Sequence, residues 1–184
     1  MTLSHRVARI AGEALAPVRA GTERLASRRF DLAVPKLSVT SDWFEDGAPL
    51  PARCTVDGEG VPPPLRWSEP PPQARELVLI CEDPDAPLAE PFVHWLVYDI
   101  QAEARTLDAV SATHARVGQN SKLDLAFAPA APPPGHGQHH YHFQLFALDA
   151  PLALDRGEGR TKVLEAMEGH VIAYGELVGT FTRA

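Results

Sequence analysis

Short apolar segments separated by proline-rich connectors run along most of this chain and restrict its fold. Four segments are apolar or alternate as strands do: Leu77–Asp83, Val93–Ile100, Tyr141–Asp149 and Val171–Phe181. The main connectors are Pro62-Pro63-Pro64, Pro70-Pro71-Pro72 and Pro132-Pro133-Pro134-Gly135. One clear helical pattern, over residues 161–170, comes late in the chain. Strands bounded by turn residues with few helices predict a mainly β fold, an antiparallel β-sandwich with peripheral helices.

The charge of the chain is divided between a basic N-terminal segment and an acidic remainder. The 184 residues have a net charge of −7. Residues 1–30 contain six arginines and two glutamates, a charge of +4, so the other 154 residues carry −11. Such asymmetry indicates a separate basic arm. The acidic body argues against a nucleic-acid-binding core, because nucleic acids are themselves polyanions.

The basic arm has the periodicity of an amphipathic helix. Val7, Ile10, Ala14 and Val18 recur at spacings of three to four residues. Three interpretations are open for it: a surface helix packed on the domain or on a neighbouring subunit, a targeting or membrane-surface segment, or a disordered segment. We therefore expect an arm over residues 1–30 and a folded domain over residues 36–184.

Targeting and cysteine patterns indicate a cytoplasmic protein. The arm lacks the continuous apolar stretch of a secretory signal, and the apolar runs of the chain are too short to span a bilayer. Cys54 and Cys81 have no paired spacing, so reduced thiols are the simpler interpretation. We expect a cytoplasmic location, no integral membrane segment and no structural metal.

Four histidines fall within seven residues, at His136, His139, His140 and His142. Side chains alternate along a strand, so His139 and Tyr141 share one face while His140 and His142 share the other. His140 and His142 would need a third ligand to bind a metal ion, and exposed strand histidines are commoner; we expect no metal or cofactor. His139 begins a strand after a Gly/Pro-rich loop, where binding groups concentrate.

An acidic turn follows the strand that ends at Asp83. Pro84 restrains the backbone between Asp83 and Asp85, so two carboxylates stand on a stiff turn. His94 opens the next strand and can reach that turn. A carboxylate that orients a histidine keeps the imidazole protonated, so that it can donate to an anion. Turn-capping aspartates and a hydrogen-bonded core histidine are the structural alternatives.

These motifs, in this order, resemble the phosphatidylethanolamine-binding protein family in its bacterial Raf-kinase-inhibitor-like branch. The resemblance runs from about Lys36 to Thr182. It rests on five elements: Asp57-Gly58-Glu59 with Pro63-Pro64-Leu65-Arg66-Trp67, Asp83-Pro84-Asp85-Ala86-Pro87 with Val93-His94-Trp95, Pro132-Pro133 with Gly135-His136-Gly137 and His139-His140-Tyr141-His142-Phe143, Ala166-Met167-Glu168-Gly169-His170, and Glu176-Leu177-Val178-Gly179-Thr180.

The resemblance implies a phosphatidylethanolamine-binding-protein-like β-sandwich with a small pocket for phosphate, phospholipid head groups or similar anions. Carried over by motif, the ligand-binding residues would be Asp83, Asp85, His94, Pro133, His139 and Tyr141. We expect Asp83 to hold His94, and His139 and Tyr141 to donate to the anion. Asp85 would meet the amine of a head group.

Two departures from the family pattern adjoin this pocket. Ala128-Pro129-Ala130-Ala131 stands where bacterial relatives usually carry Gly-Gly-Pro-Cys, and glycines there let backbone amides approach a ligand. His140 stands where the family commonly has arginine, which removes a permanent charge. Both departures predict an altered ligand affinity or preference.

The function that these residues favour is non-catalytic binding of a small anion. The alternative is a protein-interaction inhibitor or modulator of a kinase or protease, acting through the rim of the pocket. An enzyme is a third class, since Asp83, His94 and His139 can do acid–base work, but no motif of an activated nucleophile is present. We expect a small anionic ligand, and a protein partner and a homodimer are both compatible with the sequence.

Overall fold

The computed structural model describes residues 3–183 of the chain, in which eight strands and two α-helices form. The helices are α1 (Leu3–Leu15) and α2 (Arg160–Met167). The strands are β1 (Val39–Ser41), β2 (Leu65–Trp67), β3 (Glu76–Asp83), β4 (Phe92–Gln101), β5 (Thr106–Leu107), β6 (Arg116–Val117), β7 (Gln138–Leu148) and β8 (Val171–Thr182). Short 3₁₀ turns occupy Thr22–Arg24, Ala26–Arg29, Ala52–Cys54 and Ser111–His114.

The strands form two antiparallel sheets. The larger has the order β6-β4-β3-β7-β8, and the smaller has the order β1-β2-β5. The register places Phe143 of β7 opposite Cys81 of β3 and Leu177 of β8. The predicted mainly β, antiparallel fold with few helices is confirmed.

Apolar residues cover both faces of the five-stranded sheet. On one face, Leu79 and Phe143 pack in a core shared with Trp67 of the smaller sheet. On the other face, Ile80 and Phe146 pack against a second cluster formed by α2 and its neighbours. Every residue of β3 is therefore buried, which explains why its sequence is a continuous apolar run and not an alternating one.

Two element boundaries differ from the sequence prediction and bear on the site. Strand β7 begins at Gln138, one residue before His139, which the sequence places at the start of a strand, and it includes both His139 and His140. Helix α2 ends at Met167 and not at residue 170, because the chain turns at Gly169, whose φ of 78° lies in the left-handed region.

The N-terminal segment forms the predicted helix and then packs on the central sheet. Helix α1 ends two residues before Pro17, which cannot continue it. Further along, the backbone N–H of Ala26 donates to the buried Glu82 carboxylate (2.7 Å), and that of Ser27 donates to Gln144 (2.9 Å). Residues 26–27 are thus tied to buried polar groups of the sheet. In the described part of the chain, no helix is long and apolar enough to cross a membrane.

Candidate functional site

A β-bulge determines where His94 points. The register between β3 and β4 shifts between Cys81 and Glu82, and His94 is left without a partner residue in β3. In a regular strand His94 would share the face of Leu96, which packs on the side of α2. Instead its ring centroid lies 5.0 Å from that of Tyr141, in the space between the two sheets. Bulges commonly re-aim side chains next to functional sites, and this one brings His94 to the face of the other predicted site residues.

Asp83 and His139 form a buried pair at the ends of β3 and β7. The His139 Nδ1 donates to Asp83 Oδ2 over 2.7 Å, whereas His94 Nε2 lies 4.0 Å from the same oxygen. His94 is held by the backbone, since its Nδ1 donates to the Ala128 carbonyl over 2.7 Å. The expected pairing of Asp83 with His94 is therefore wrong in detail: the closer partner of Asp83 is His139.

His136 extends this pair towards the N-terminal helix. Its Nδ1 lies 2.7 Å from His139 Nε2, and its Nε2 lies 2.9 Å from the carbonyl oxygen of Leu15 at the end of α1. His136 and His139 are both buried. The sequence drew attention to His136 only as one of four neighbouring histidines, and its contact with residue 15 has no local indication in the sequence.

Hydrogen-bond partners engage both ring nitrogens of His139 and of His136. The Asp83 carboxylate and the Leu15 carbonyl are acceptors, so the ring nitrogens that face them are donors. The short contact between the two rings completes a buried chain that runs from Asp83 through His139 and His136 to Leu15.

A cavity of about 250 Å³ opens beside this cluster. Its walls are formed by Asp83, Ala86, Pro87, Leu88, Phe92, His94, Lys122, Pro129, Ala131, Pro132, Pro133 and His139. Four of the six predicted ligand-binding residues belong to the walls, and Asp85 and Tyr141 do not. Two concavities elsewhere are larger, about 310 and 520 Å³, but no histidine lines either of them. The chemistry of the site, and not its size, distinguishes this cavity.

Lys122 is a cation of the cavity wall that sequence reasoning did not identify. It stands in the loop between β6 and β7, and the turn there is held by Asn120, whose side-chain oxygen accepts from the backbone N–H of Lys122 over 2.8 Å. Burial lowers the pKa of His94, and the charge of Lys122 lowers it further, although the Asp83 carboxylate raises it. His94 is therefore a neutral imidazole with its proton on Nδ1.

The hydroxyl of Tyr141 lies next to this cluster without a hydrogen bond. It is a buried oxygen with no partner among the residues that the structure describes. Burial, together with the nearby Asp83 carboxylate, raises the pKa of Tyr141, so the hydroxyl keeps its proton. Buried polar atoms of native proteins are nearly always paired, so this orphan hydroxyl, on a ring packed against the wall residue His94, is a donor suited to a ligand.

Asp85 is engaged away from the cavity. One of its oxygens pairs with Arg19 of the N-terminal segment, and the other accepts from the backbone N–H (2.8 Å) and the Nδ1 (2.7 Å) of His140. Burial raises the pKa of Asp85, but the hydrogen bonds from His140 and Arg19 outweigh it, and the pKa is lowered. The family that the sequence resembles commonly has arginine at the position of His140. Here Arg19 supplies a permanent positive charge next to His140.

The N-terminal segment is also bonded to the acidic turn through its backbone. The N–H of Ala20 donates to the Ala86 carbonyl (3.1 Å), and that of Gly21 donates to the Pro84 carbonyl (2.9 Å). Together with Arg19, these bonds join the segment to the turn that carries Asp85.

Comparisons with known proteins match the region from β1 to β8. A family model described as phosphatidylethanolamine-binding protein matches residues 40–182. A UPF0098 protein of Methanothermobacter thermautotrophicus is 38% identical over 153 residues, which cover 80% of this chain and 99% of that protein. All six predicted ligand-binding residues fall inside the matched range, whereas Leu15 and Arg19 precede it.

Solved structures agree with the match. The structure of a phosphatidylethanolamine-binding protein homologue from Chlamydia trachomatis is 35% identical, with a TM-score of 0.76, and the match covers 81% of this chain and 99% of that one. E. coli YbcL, described as a member of the mammalian family, is 27% identical with a TM-score of 0.74, over 80% of this chain and 99% of that one.

Proposed function

Because this chain belongs to the phosphatidylethanolamine-binding protein family, as its motifs predict, we propose that it binds a small anion in the cavity beside Asp83 and His139. The ligand class is phosphate, alone or as the phosphomonoester of a lipid head group such as phosphoethanolamine. The observation that carries the proposal is the buried Tyr141 hydroxyl, which has no partner among the described residues and lies next to the Asp83–His139 pair of the cavity wall. A hydroxyl that keeps its proton and lacks a partner can donate to an anion.

Lys122 supports an anion in spite of Asp83, because it adds a positive charge at the cavity wall. An anion that accepts a hydrogen bond from His139 Nε2 takes the place that His136 Nδ1 occupies. The Tyr141 hydroxyl is a further donor. Hydrogen bonds to charged groups are about twice as strong as neutral ones, which favours this exchange.

His94 favours an anion that itself carries a proton. Its Nδ1–H is committed to Ala128, so Nε2 offers a lone pair. A phosphate oxygen that bears hydrogen can donate to that lone pair. An anion without a hydroxyl must instead bring a proton to Nε2, against the lowered pKa of His94. The site is therefore better matched to a hydrogen phosphate or phosphomonoester than to sulfate.

The size and composition of the cavity also limit its ligands. Its 250 Å³ lies just below the roughly 300–1,000 Å³ of pockets for drug-sized molecules, so a head group fits better than acyl chains. Pro129 forms part of the wall, where it takes space that the usual glycine would leave open.

We also propose a reducing, cytoplasmic environment. Cys54 and Cys81 are both buried free thiols, and unpaired cysteines are typical of proteins in reduced compartments.

Titration calorimetry with phosphate and with phosphoethanolamine tests the proposed function. We expect His139→Ala and Asp83→Asn to lose at least about tenfold in affinity, because each removes part of the donor cluster. His142→Ala is the matched control, since His142 pairs with Glu176 on the other face of β7. Unchanged affinity in both cluster variants would contradict anion binding at this site. A protein partner captured without any anion affinity would instead favour the modulator function.

A further inference from the structure

Helix α1 turns its apolar side away from the rest of the protein. Val7 and Ile10, which form this side of the helix, are 59% and 61% exposed. Leu15, at the end of the helix, and Val18, beyond it, are 41% and 45% exposed. Helices with one apolar stripe normally bury it against the core. The apolar side of α1 is solvent-facing, and nothing in residues 3–183 covers it.

The opposite side of α1 makes the contact with the domain. A Cβ placed on Gly12 would lie 1.9 Å from the carbonyl oxygen of Pro134, so only glycine allows the helix to approach so closely. At about 100° per residue, Gly12 is roughly 140° around the helix from Val7 and 160° from Ile10. The exposure of the apolar side therefore follows from the way in which the helix packs on the domain. It does not indicate that the helix is detached.

We propose that the apolar side of α1 binds an anionic lipid surface. The polar flank of the helix carries the exposed Arg6 and Arg9, of which Arg9 also pairs with Glu13 over 3.4 Å. With two arginines and one glutamate, the helix has a formal charge of +1. An apolar side flanked by arginines in a helix of low mean hydropathy is typical of helices that lie in the membrane interface. Arginine side chains can extend from such a helix to lipid phosphates while their methylene groups remain on the apolar side.

The size of this surface argues against a second copy of the chain as its occupant. A helix of 13 residues is about 20 Å long and about 10 Å wide, so its face offers about 200 Å² and a symmetric pair about 400 Å². Stable protein interfaces bury about 1,200 Å² or more. A bilayer surface has no such limit of size, and an anionic one attracts the arginines of the helix.

Attachment of α1 places the cavity near the lipid. The loop that contacts Gly12 continues directly from Pro132 and Pro133 in the cavity wall. The apolar side and the contact side of α1 face in opposite directions. This loop would therefore stand one helix diameter, ~10 Å, from the bilayer. Lipid binding by α1 does not itself require an anion in the cavity, so the two proposals can fail separately.

Sedimentation of the full chain with lipid vesicles tests this proposal. The vesicles consist of phosphatidylcholine, with or without phosphatidylglycerol. We expect binding to the phosphatidylglycerol vesicles, weakened by salt, and a loss of at least about tenfold in the double variant Val7→Asp/Ile10→Asp, since two apolar contacts are removed. The control is Val110→Asp, because Val110 is 72% exposed but lies outside α1.

Several outcomes would overturn the proposal. One is vesicle binding that the double variant leaves unchanged, and another is no binding of the unaltered chain to the phosphatidylglycerol vesicles. A dimer in light scattering that the double variant dissociates would assign the surface to a second copy. Phosphate affinity, measured for the same variants, is expected to stay unchanged and shows whether the cavity is intact. Circular dichroism checks that each variant is folded.

Discussion

The Nδ1 atom of His136 lies 2.7 Å from the Nε2 atom of His139, inside the protein. His139 therefore has both ring nitrogens engaged, one by Asp83 and one by His136. An anion that binds to His139 must displace one of these partners, and His136 is the one without a formal negative charge. The His136 imidazole also bonds to Leu15, the last residue of α1. It therefore connects the N-terminal segment to a residue of the cavity wall.

His136→Ala is expected to increase the affinity for phosphate, by up to about tenfold. The variant removes the internal partner that competes with the anion, and a hydrogen bond of this kind contributes about 0.5–1.5 kcal/mol. Titration calorimetry measures the change, with His142→Ala as the control. A marked loss of affinity would mean that His136 supports the bound state and does not compete with it.

Limited proteolysis of the same variant reports on the N-terminal segment. Loss of the bond between His136 and Leu15 removes one of the attachments of α1. We expect faster cleavage within residues 3–15 and unchanged cleavage elsewhere, because local opening depends on local contacts. Equal rates in the variant and the unaltered protein would show that this bond does not hold the helix.

Sulfate affinity is expected to fall as the pH rises. Burial lowers the pKa of His94, so the free site holds a neutral imidazole. A sulfate ion favours protonation of Nε2 and thereby raises that pKa in the complex, so binding takes up a proton. Asp83, His139 and Lys122 also face His94 and contribute to the profile. Calorimetry in buffers of different ionisation enthalpy measures the uptake, which His94→Gln should reduce; an uptake equal in both proteins would contradict this role.

The lowered pKa of His94 also predicts how the stability of the fold depends on pH. The pKa of His94 is lower in the folded protein than the value of about 6.5 expected in the unfolded chain. The unfolded state then binds more protons as the pH falls through that value, so this group destabilises the fold in acid and not at neutral pH. Urea unfolding across this range should show a smaller loss of stability in His94→Gln than in the unaltered protein. An identical loss would exclude the contribution.

Lys122→Met is expected to weaken phosphate binding by about tenfold, which corresponds to about 1.4 kcal/mol. The variant keeps the aliphatic bulk of the cavity wall and removes its only permanent positive charge among the described wall residues. Lys122→Arg should retain most of the affinity. Calorimetry at two salt concentrations would show a smaller salt dependence in Lys122→Met, and an unchanged affinity would remove Lys122 from the site.

Arg160→Met is expected to destabilise the protein by about 3 kcal/mol, since it leaves a buried charge unpaired. Glu82 is fully buried, pairs with Arg160 and accepts from Ala26 and Gln144. The matched control is Arg66→Met, whose partner is the exposed Asp42, with an expected cost below about 1 kcal/mol. Chemical denaturation measures both. Equal costs for the two variants would contradict the structural role of Glu82.

Much of the fold and part of the site could be predicted from local sequence patterns. Alternation along β7 predicts that His139 and Tyr141 share one face of the strand, and in the structure that face is the buried one: Tyr141 packs in the core between the sheets and His139 is buried. The apolar runs around Leu77–Asp83 and Val93–Ile100 identify the central strands because periodicity and turn residues are local properties.

The remaining features depend on contacts between distant parts of the chain. The bulge at His94 depends on the register between β3 and β4, and no residue of β4 alone predicts it. Arg19 is 66 residues from Asp85, and His136 is 121 residues from Leu15, so no spacing rule links them. No sequence pattern identifies Lys122, because a lysine in a loop is ordinary. Only the folded chain brings it to the cavity wall.

A crystal structure of the full chain with phosphate tests the central claim most directly. We predict phosphate in the cavity beside Lys122, with oxygens that accept from His139 Nε2 and from the Tyr141 hydroxyl. We also predict that His136 no longer bonds to His139 but keeps its bond to Leu15. Phosphate bound only outside this cavity, with the bond between His136 and His139 intact, would contradict the proposed site.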